Sequence, residues 1–163
     1  MQAGETPSVE QVAHAALVSR TTAYRYFPSQ RALLVAAFPK LDTESLLGED
    51  PPADVAARVE RFAGAMTESV LENEHEMRAM LRLSLDAEDP HVFLREGRRT
   101  QWAADALAPL RGHPDYERLL YALAAAVGIE AFVWLVDVGG LTRERAVATM
   151  RWSARALVYS VDR

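Results

Sequence analysis

Apolar residues recur at steps of three and four along almost the whole 163-residue chain, and no stretch reads as a convincing strand. That spacing lines one face of an α-helix. Val55, Val59, Phe62, Met66 and Val70 carry the pattern through the middle of the chain, and Val147, Met150, Ala154, Leu157 and Val161 carry it at the end. The expected class is all-α. There is no internal repeat and no low-complexity tract.

Local punctuation divides the pattern into helices. Ser8 followed by Gln11 is a capping box, and Val9, Val12, Ala13 and Ala16 then share one face. Leu17 and Val18 form a short break. Ser19 caps a second helix, Arg20 to Phe27, which Pro28 stops. Ser29 caps a third, from Gln30 to about Phe38, ended or kinked by Pro39. The stretch LDTESLL is read as two more turns. The acidic, Pro- and Gly-rich GEDPP, Gly48 to Pro52, then marks a module boundary, giving modules 1–47 and 48–163. Further helices are expected over about 53–72, around Met77, Met80, Leu81 and Leu85, and over about 92–111. In the last of these Trp102, Ala106 and Leu110 face inward, and Pro109 unsettles the final turn. One long helix over 115–138 follows, ended by glycine in GGL. Thr142 caps the closing helix, with Glu144 in its first turn. Arg145 stands at the third helical position, so no capping box forms there.

The chain has no cysteine, which excludes disulfides, thiolate ligands and thiol nucleophiles and suits a cytoplasmic protein. Met1 leads into polar residues, so no signal peptide is read. The longest apolar stretch, Leu119 to Leu141, contains Glu130 and Asp137, which argue for a buried helix and no membrane span. Residues 1–40 carry net +2 and the remainder net −7. An asymmetry of that kind points to a nucleic-acid-facing part attached to something else.

Two short helices joined by a tight turn have the form of a helix-turn-helix, whose second helix enters the major groove. The second helix here, SRTTAYRYF, carries the groups such a role needs. Arg20 and Arg25 can pair with phosphate or guanine, and Thr21 and Thr22 place hydroxyls at a helix start that itself favours phosphate. Tyr24 and Tyr26 offer phenolic hydroxyls, while Ala23 and Phe27, four apart, face inward. On these residues alone, a surface helix capped by Ser19 is an equal alternative.

The run SVEQVAHAALVSRTTAYRYFPSQRALL resembles the DNA-binding signature of the tetracycline-repressor (TetR) family of bacterial regulators, Ser-Val-x-x-Ile-Ala-x-x-Ala-Gly-Val-Ser-x-x-Thr-x-Tyr-x-Tyr/His-Phe-x-Ser-Lys-x-x-Leu. Ser8, Val9, Val12, Ala13, Ala16, Val18, Ser19, Thr22, Tyr24, Tyr26, Phe27, Ser29 and Leu33 match or conservatively replace that pattern. The resemblance implies that Thr22, Tyr24 and Tyr26 contact DNA, and that Arg20, Thr21 and Arg25 tune sequence choice. Val12, Ala16, Val18 and Phe27 would pack the module. It also implies a second, larger helical domain that binds a small effector and dimerises through its last two helices, on palindromic double-stranded operator DNA. The whole would be a ligand-responsive regulator of transcription, a repressor released by its effector.

Three departures stand out. Leu17 replaces the glycine that suits a left-handed turn, which implies strain or a different turn. Gln30 replaces a lysine. Where the family places a whole helix ahead of this signature, only Met1 to Thr6 precede it. The expectation is therefore a chain that naturally begins upstream or is truncated, with Val9, Val12, Ala13, Ala16 and the Phe27 side laid bare. A dimeric helical sensor or interaction protein that binds DNA weakly or not at all is the alternative reading.

In the acidic part, Phe62, Met66, Met77, Met80, Leu81, Trp102, Phe132 and Trp134 are either ordinary core or the lining of an apolar effector cavity, and periodicity does not separate the two. Glu130, Asp137 and His75 are candidate polar anchors. The helix over Leu119 to Val138 is apolar nearly all round and needs cover on several sides. Trp152, Ala154 and Leu157 of the last helix would supply one side and a second copy of the chain another; a monomer with a central helix is the alternative. ENEHEM lacks a second histidine one turn on, so no metal site is expected. His14, His91 and His113 are isolated, and no nucleophile–base set or phosphate loop appears, so neither a cofactor nor an enzyme activity is expected.

Overall fold

The computed structural model describes residues 7–37, 43–85 and 98–161. Among them the regular secondary structure is helical and there is no strand. The helices are α1 Val9–Ala15, α2 Arg20–Tyr26, α3 Gln30–Ala37, α4 Val55–Glu72, α5 Glu74–Leu85, α6 Arg98–Ala106, α7 Tyr116–Ala126, α8 Ile129–Val133 and α9 Arg143–Tyr159. No single described helix is long and apolar enough to cross a membrane. The described residues group into two compact units, 7–37 with 75–85 and 43–74 with 98–161. Pro39, His91 and the DAEDP stretch lie outside the described residues.

In the first unit, side-chain caps begin each of the three leading helices. Ser8 Oγ accepts the Gln11 N–H at 3.2 Å while Gln11 Oε1 accepts the Ser8 N–H at 2.7 Å, completing the capping box. Ser19 Oγ accepts the Thr22 N–H and Ser29 Oγ the Ala32 N–H, both at 3.1 Å. Val9, Ala13, Ala23 and Leu33 form a buried cluster, flanked by Val12 and Phe27. Val9 and Ala13 are each only 2% exposed, which corrects the expectation that they lie bare. They stand four apart on α1 and cluster with α2 and α3. Ala16 and Val18 are exposed instead of packed, because α1 ends at Ala15 and both belong to the turn.

That turn is a Schellman motif. The Leu17 N–H donates to His14 O at 3.2 Å and the Val18 N–H to Ala13 O at 3.0 Å. The geometry requires a left-handed residue between them, and Leu17 supplies it at φ +56. Its side chain, 92% exposed, gains no packing in return.

In the second unit α4 packs against α9 and α6, and α7 packs against the same two helices. Val59, Phe62, Met66 and Val70 of α4 are buried, as the periodicity predicts; Val55 is half-buried, and Ala63 is buried beside them. On α9 the fully buried stripe is Ala146, Met150, Ala154 and Val158; Val147, Leu157 and Val161 flank it half-buried. Thr142 caps α9 through the Arg145 N–H, at 3.3 Å. The Glu144 carboxyl lies below its usual range, because of a backbone hydrogen bond first and the Thr142 side chain second. What it contributes is present at neutral pH and is lost as acidification passes that lowered value.

Three expected helical stretches take another course. The single helix over 115–138 is broken: α7 and the helix after it are bent by 51° about Gly128. Gly128 is extended, at ψ 171, and a Cβ there would overlap the Arg99 guanidinium and the Glu130 carboxylate. Those two groups form a bidentate pair at 2.8 and 3.2 Å. After α8, Trp134–Val138 continues as a π turn, and Gly140 at φ +66 is the terminating glycine. Residues 43–47 are not helical either. Their polar groups are taken by other partners: Thr43 O accepts from Trp102 Nε1 at 3.0 Å and Leu47 O from Arg61 at 2.7 Å. Lastly, α6 stops at Ala106 and gives way to a single 3-10 turn, Ala108–Leu110. Pro109 has no N–H for the Asp105 carbonyl and would crowd it.

Arg58 on α4 takes up that carbonyl. Its guanidinium donates to Asp105 O at 2.9 Å, Ala106 O at 3.3 Å, Pro52 O at 3.0 Å and Asp105 Oδ1 at 3.3 Å. The side chain is only 11% exposed, so its charge depends on these partners.

Two predictions follow from this geometry. Leu17→Gly should stabilise the protein by about 1 kcal/mol, since the left-handed strain goes and no packing is lost; urea denaturation monitored by circular dichroism measures it. Arg58→Ala should cost about 3 kcal/mol in the same measurement, because it strands a part-buried carboxylate and three carbonyls, and Arg58→Lys should recover little of that.

Candidate functional site

The outer face of α2 holds the densest set of the residues singled out in the sequence. Ser19 starts the helix, and only Ala23 is buried along it, so most of its circumference is presented outward. Arg20, Thr21, Tyr24, Arg25 and Tyr26 are exposed and Thr22 is half-buried. The Thr22 hydroxyl shares a 2.8 Å hydrogen bond with Ser19 Oγ, which ties the side chain to the cap. The Arg25 guanidinium lies 5.2 Å from the centre of the Tyr26 ring, within cation–π range. Arg20 forms an ion pair with Glu10 of α1 at 3.1 Å. The face therefore offers two guanidinium groups, two aliphatic hydroxyls and two phenols, donors suited to anionic oxygens and base edges.

Residues 1–40, which contain α1, α2 and α3, carry four basic residues against Glu5 and Glu10, a net of +2. Residues 75–94, grouped with them, add Arg78 and Arg82 against Glu76, Asp86, Glu88 and Asp89, so the first unit is neutral by sequence, while the second, with 12 arginines against 17 acidic residues, is acidic. Gln30, which stands where the resembling family has a lysine, donates through Nε2 to Pro7 O at 3.2 Å and so bridges α3 to the start of α1.

The candidate effector residues divide between the units. Met77, Met80 and Leu81 lie on α5 in the first, Met80 buried and the other two half-buried. Phe62, Met66, Trp102 and Phe132 lie buried in the second. Trp102 spends its N–H on Thr43 O. Trp134 is turned out, 60% exposed. Of the polar candidates, Glu130 is engaged by Arg99, and His75 and Asp137 are exposed. The second unit also has an open groove of about 500 Å³, whose walls include Glu60, Arg61, Gly64, Glu68 and Arg151. None of the eight effector candidates lines it. Its charges are largely paired internally: Arg151 and Arg155 both hold Glu60, and Arg61 donates to Leu47 O and Asp50 O.

Among the described residues no group of histidine or acidic side chains is placed to hold a metal ion. His113 Nδ1 accepts the Asp115 N–H at 3.1 Å, a turn contact. Glu10 is the residue that sequence reasoning passed over. The available signal was its isolation, as the only carboxylate between Pro7 and Ala37.

Large apolar side chains are also exposed in the second unit. Trp134 and Val138 beyond α8, and Trp152 and Tyr159 on α9, are large hydrophobic side chains exposed to between 58% and 70%. Comparison with known proteins returned no matching family model, no matching curated protein and no matching solved structure.

Proposed function

We infer that the chain is a ligand-responsive transcriptional regulator, a repressor that reads operator DNA with a helix-turn-helix formed by α1, the Leu17 turn and α2. The observation that carries this reading is the outward display of Arg20, Thr21, Thr22, Tyr24, Arg25 and Tyr26 on a capped helix that buries only Ala23. A helix packed for support alone would bury a wider stripe. The net +2 of residues 1–40, which contain α1, α2 and α3, supports it, because phosphate neutralisation supplies much of the affinity for a duplex.

The exposed Trp134, Val138, Trp152 and Tyr159 support a homodimer through the last helices. Large apolar side chains left exposed near the end of a chain suit an interface, and two-fold symmetry matches a palindromic site. The effector in this reading is a small apolar molecule bound in the second unit. It acts only as far as it binds the DNA-free state more tightly than the DNA-bound one.

The test is fluorescence anisotropy with a duplex recovered by selection from a random library. Affinity should fall steeply between about 50 and 200 mM salt as counterions are released. Thr22→Ala with Tyr24→Phe should weaken operator binding about tenfold or more through lost hydroxyl contacts, with the fold unchanged by circular dichroism. Trp152→Glu should convert a dimer to a monomer in sedimentation velocity and lower operator affinity with it, since a charge in an apolar interface is costly. A chain that dimerises but shows no salt-dependent duplex binding would be a sensor without DNA affinity and would overturn the regulator reading.

A further inference from the structure

The regulator reading gives Arg20 a partner outside the chain, yet Arg20 already has one inside it. Glu10 Oε2 lies 3.1 Å from Arg20 Nη2, with the arginine side chain 72% exposed. Two features set this pair apart from an ordinary surface contact. Glu10 is the only carboxylate between Pro7 and Ala37, a stretch that also holds Arg25 and Arg31. Arg20 opens α2, which has no acidic residue in its first turn, so a cation stands at the helix end where cations are disfavoured. The one carboxylate of this stretch thus compensates a cation that opens its helix against the dipole.

Building on that reading, we propose that Glu10 is a positioning residue that acts as a brake on DNA binding, holding the Arg20 guanidinium in an intramolecular pair that a backbone phosphate must displace. An exposed pair of this kind is weak, so displacement is easy, but it subtracts from every encounter with a duplex. The carboxylate also stands close to wherever that guanidinium meets a phosphate, and repels it. Both contributions are independent of sequence. Glu10 therefore sets the strength of binding while the other α2 side chains set its selectivity, keeping the bound state weak enough for a modest effector bias to release it.

Glu10→Gln keeps the shape and removes the charge. Measured by anisotropy on the full chain at about 100 mM salt, it should tighten binding to the selected duplex and to a random duplex alike by about threefold to tenfold. In an Arg20→Gln background the same substitution should gain less than about twofold, and Glu10→Asp should fall between wild type and Glu10→Gln. Weaker or unchanged binding by Glu10→Gln overturns the brake. An equal gain with and without Arg20 overturns the route through Arg20 and leaves Glu10 acting on phosphate directly. If no variant, wild type included, binds any duplex, the DNA reading itself fails, a result distinct from either. Thermal melts of wild type and the four variants show whether each is folded, so a loss of binding through unfolding is recognised as such.

Discussion

The second unit depends on one guanidinium. Pro109 forces α6 to stop and leaves the Asp105 and Ala106 carbonyls without intrahelical partners. A buried helix end needs donors, and Arg58 provides them from α4 with a charge of the sign that a helix C-terminus favours. The same side chain reaches Pro52 O and the Asp105 carboxylate, whose other oxygen accepts from Ser45. Residues 43–52 thereby acquire a defined path with no secondary structure of their own. Irregular backbone can be fixed when its polar groups are answered one by one, here by Arg58, Arg61, Trp102 and Ser45. With α4 and α6 set in register, α7 and α9 have a surface to pack on.

What the amino-acid sequence made legible was chemistry acting over three or four residues. Ser8, Ser19, Ser29 and Thr142 cap where their spacing to the next free N–H says they should. Gly140 takes the left-handed position that ends the helical segment before α9. The departures come from groups distant in the chain. Gly128 interrupts an apolar stretch because Arg99 and Glu130 occupy the space a Cβ would need, and no local pattern announces that pairing. The turns expected over 43–47 give way because Trp102 and Arg61 claim their carbonyls. On α9 the buried stripe runs through Ala146 and Val158 in place of Val147 and Leu157. Neighbouring residues on a helix differ by about 100°, so an apolar band broad enough to include both leaves its centre to be chosen by the partners α4 and α7.

The first unit shows how little is needed to hold short helices in place. Two of its four buried cluster residues, Ala13 and Ala23, are alanines, so the area removed from water is small. Hydrogen-bonded caps and the Schellman turn carry a larger share of the definition there than in the second unit. This economy has a functional side under the proposed reading. Because α2 needs only Ala23 inside, six polar or aromatic residues are left to face outward, and that division was legible from the sequence alone. The engagement of Arg20 by Glu10 was not, since a pair ten residues apart across a turn has no fixed spacing rule.

Under the proposed reading, the placement of charge along the chain bears on how a duplex is met. Residues 1–40, which contain α1, α2 and α3, carry net +2 and the remainder net −7. A duplex is a dense line of negative charge, so in that reading the acidic second unit repels it and the mildly basic leading stretch does not. Orientation during approach is then favoured, in the same reading, by long-range electrostatics before any hydroxyl on α2 meets a phosphate. The same acidity opposes close packing of two second units. A dimer in this reading must therefore rest on uncharged surface, and the exposed Trp134, Val138, Trp152 and Tyr159 are side chains of that kind.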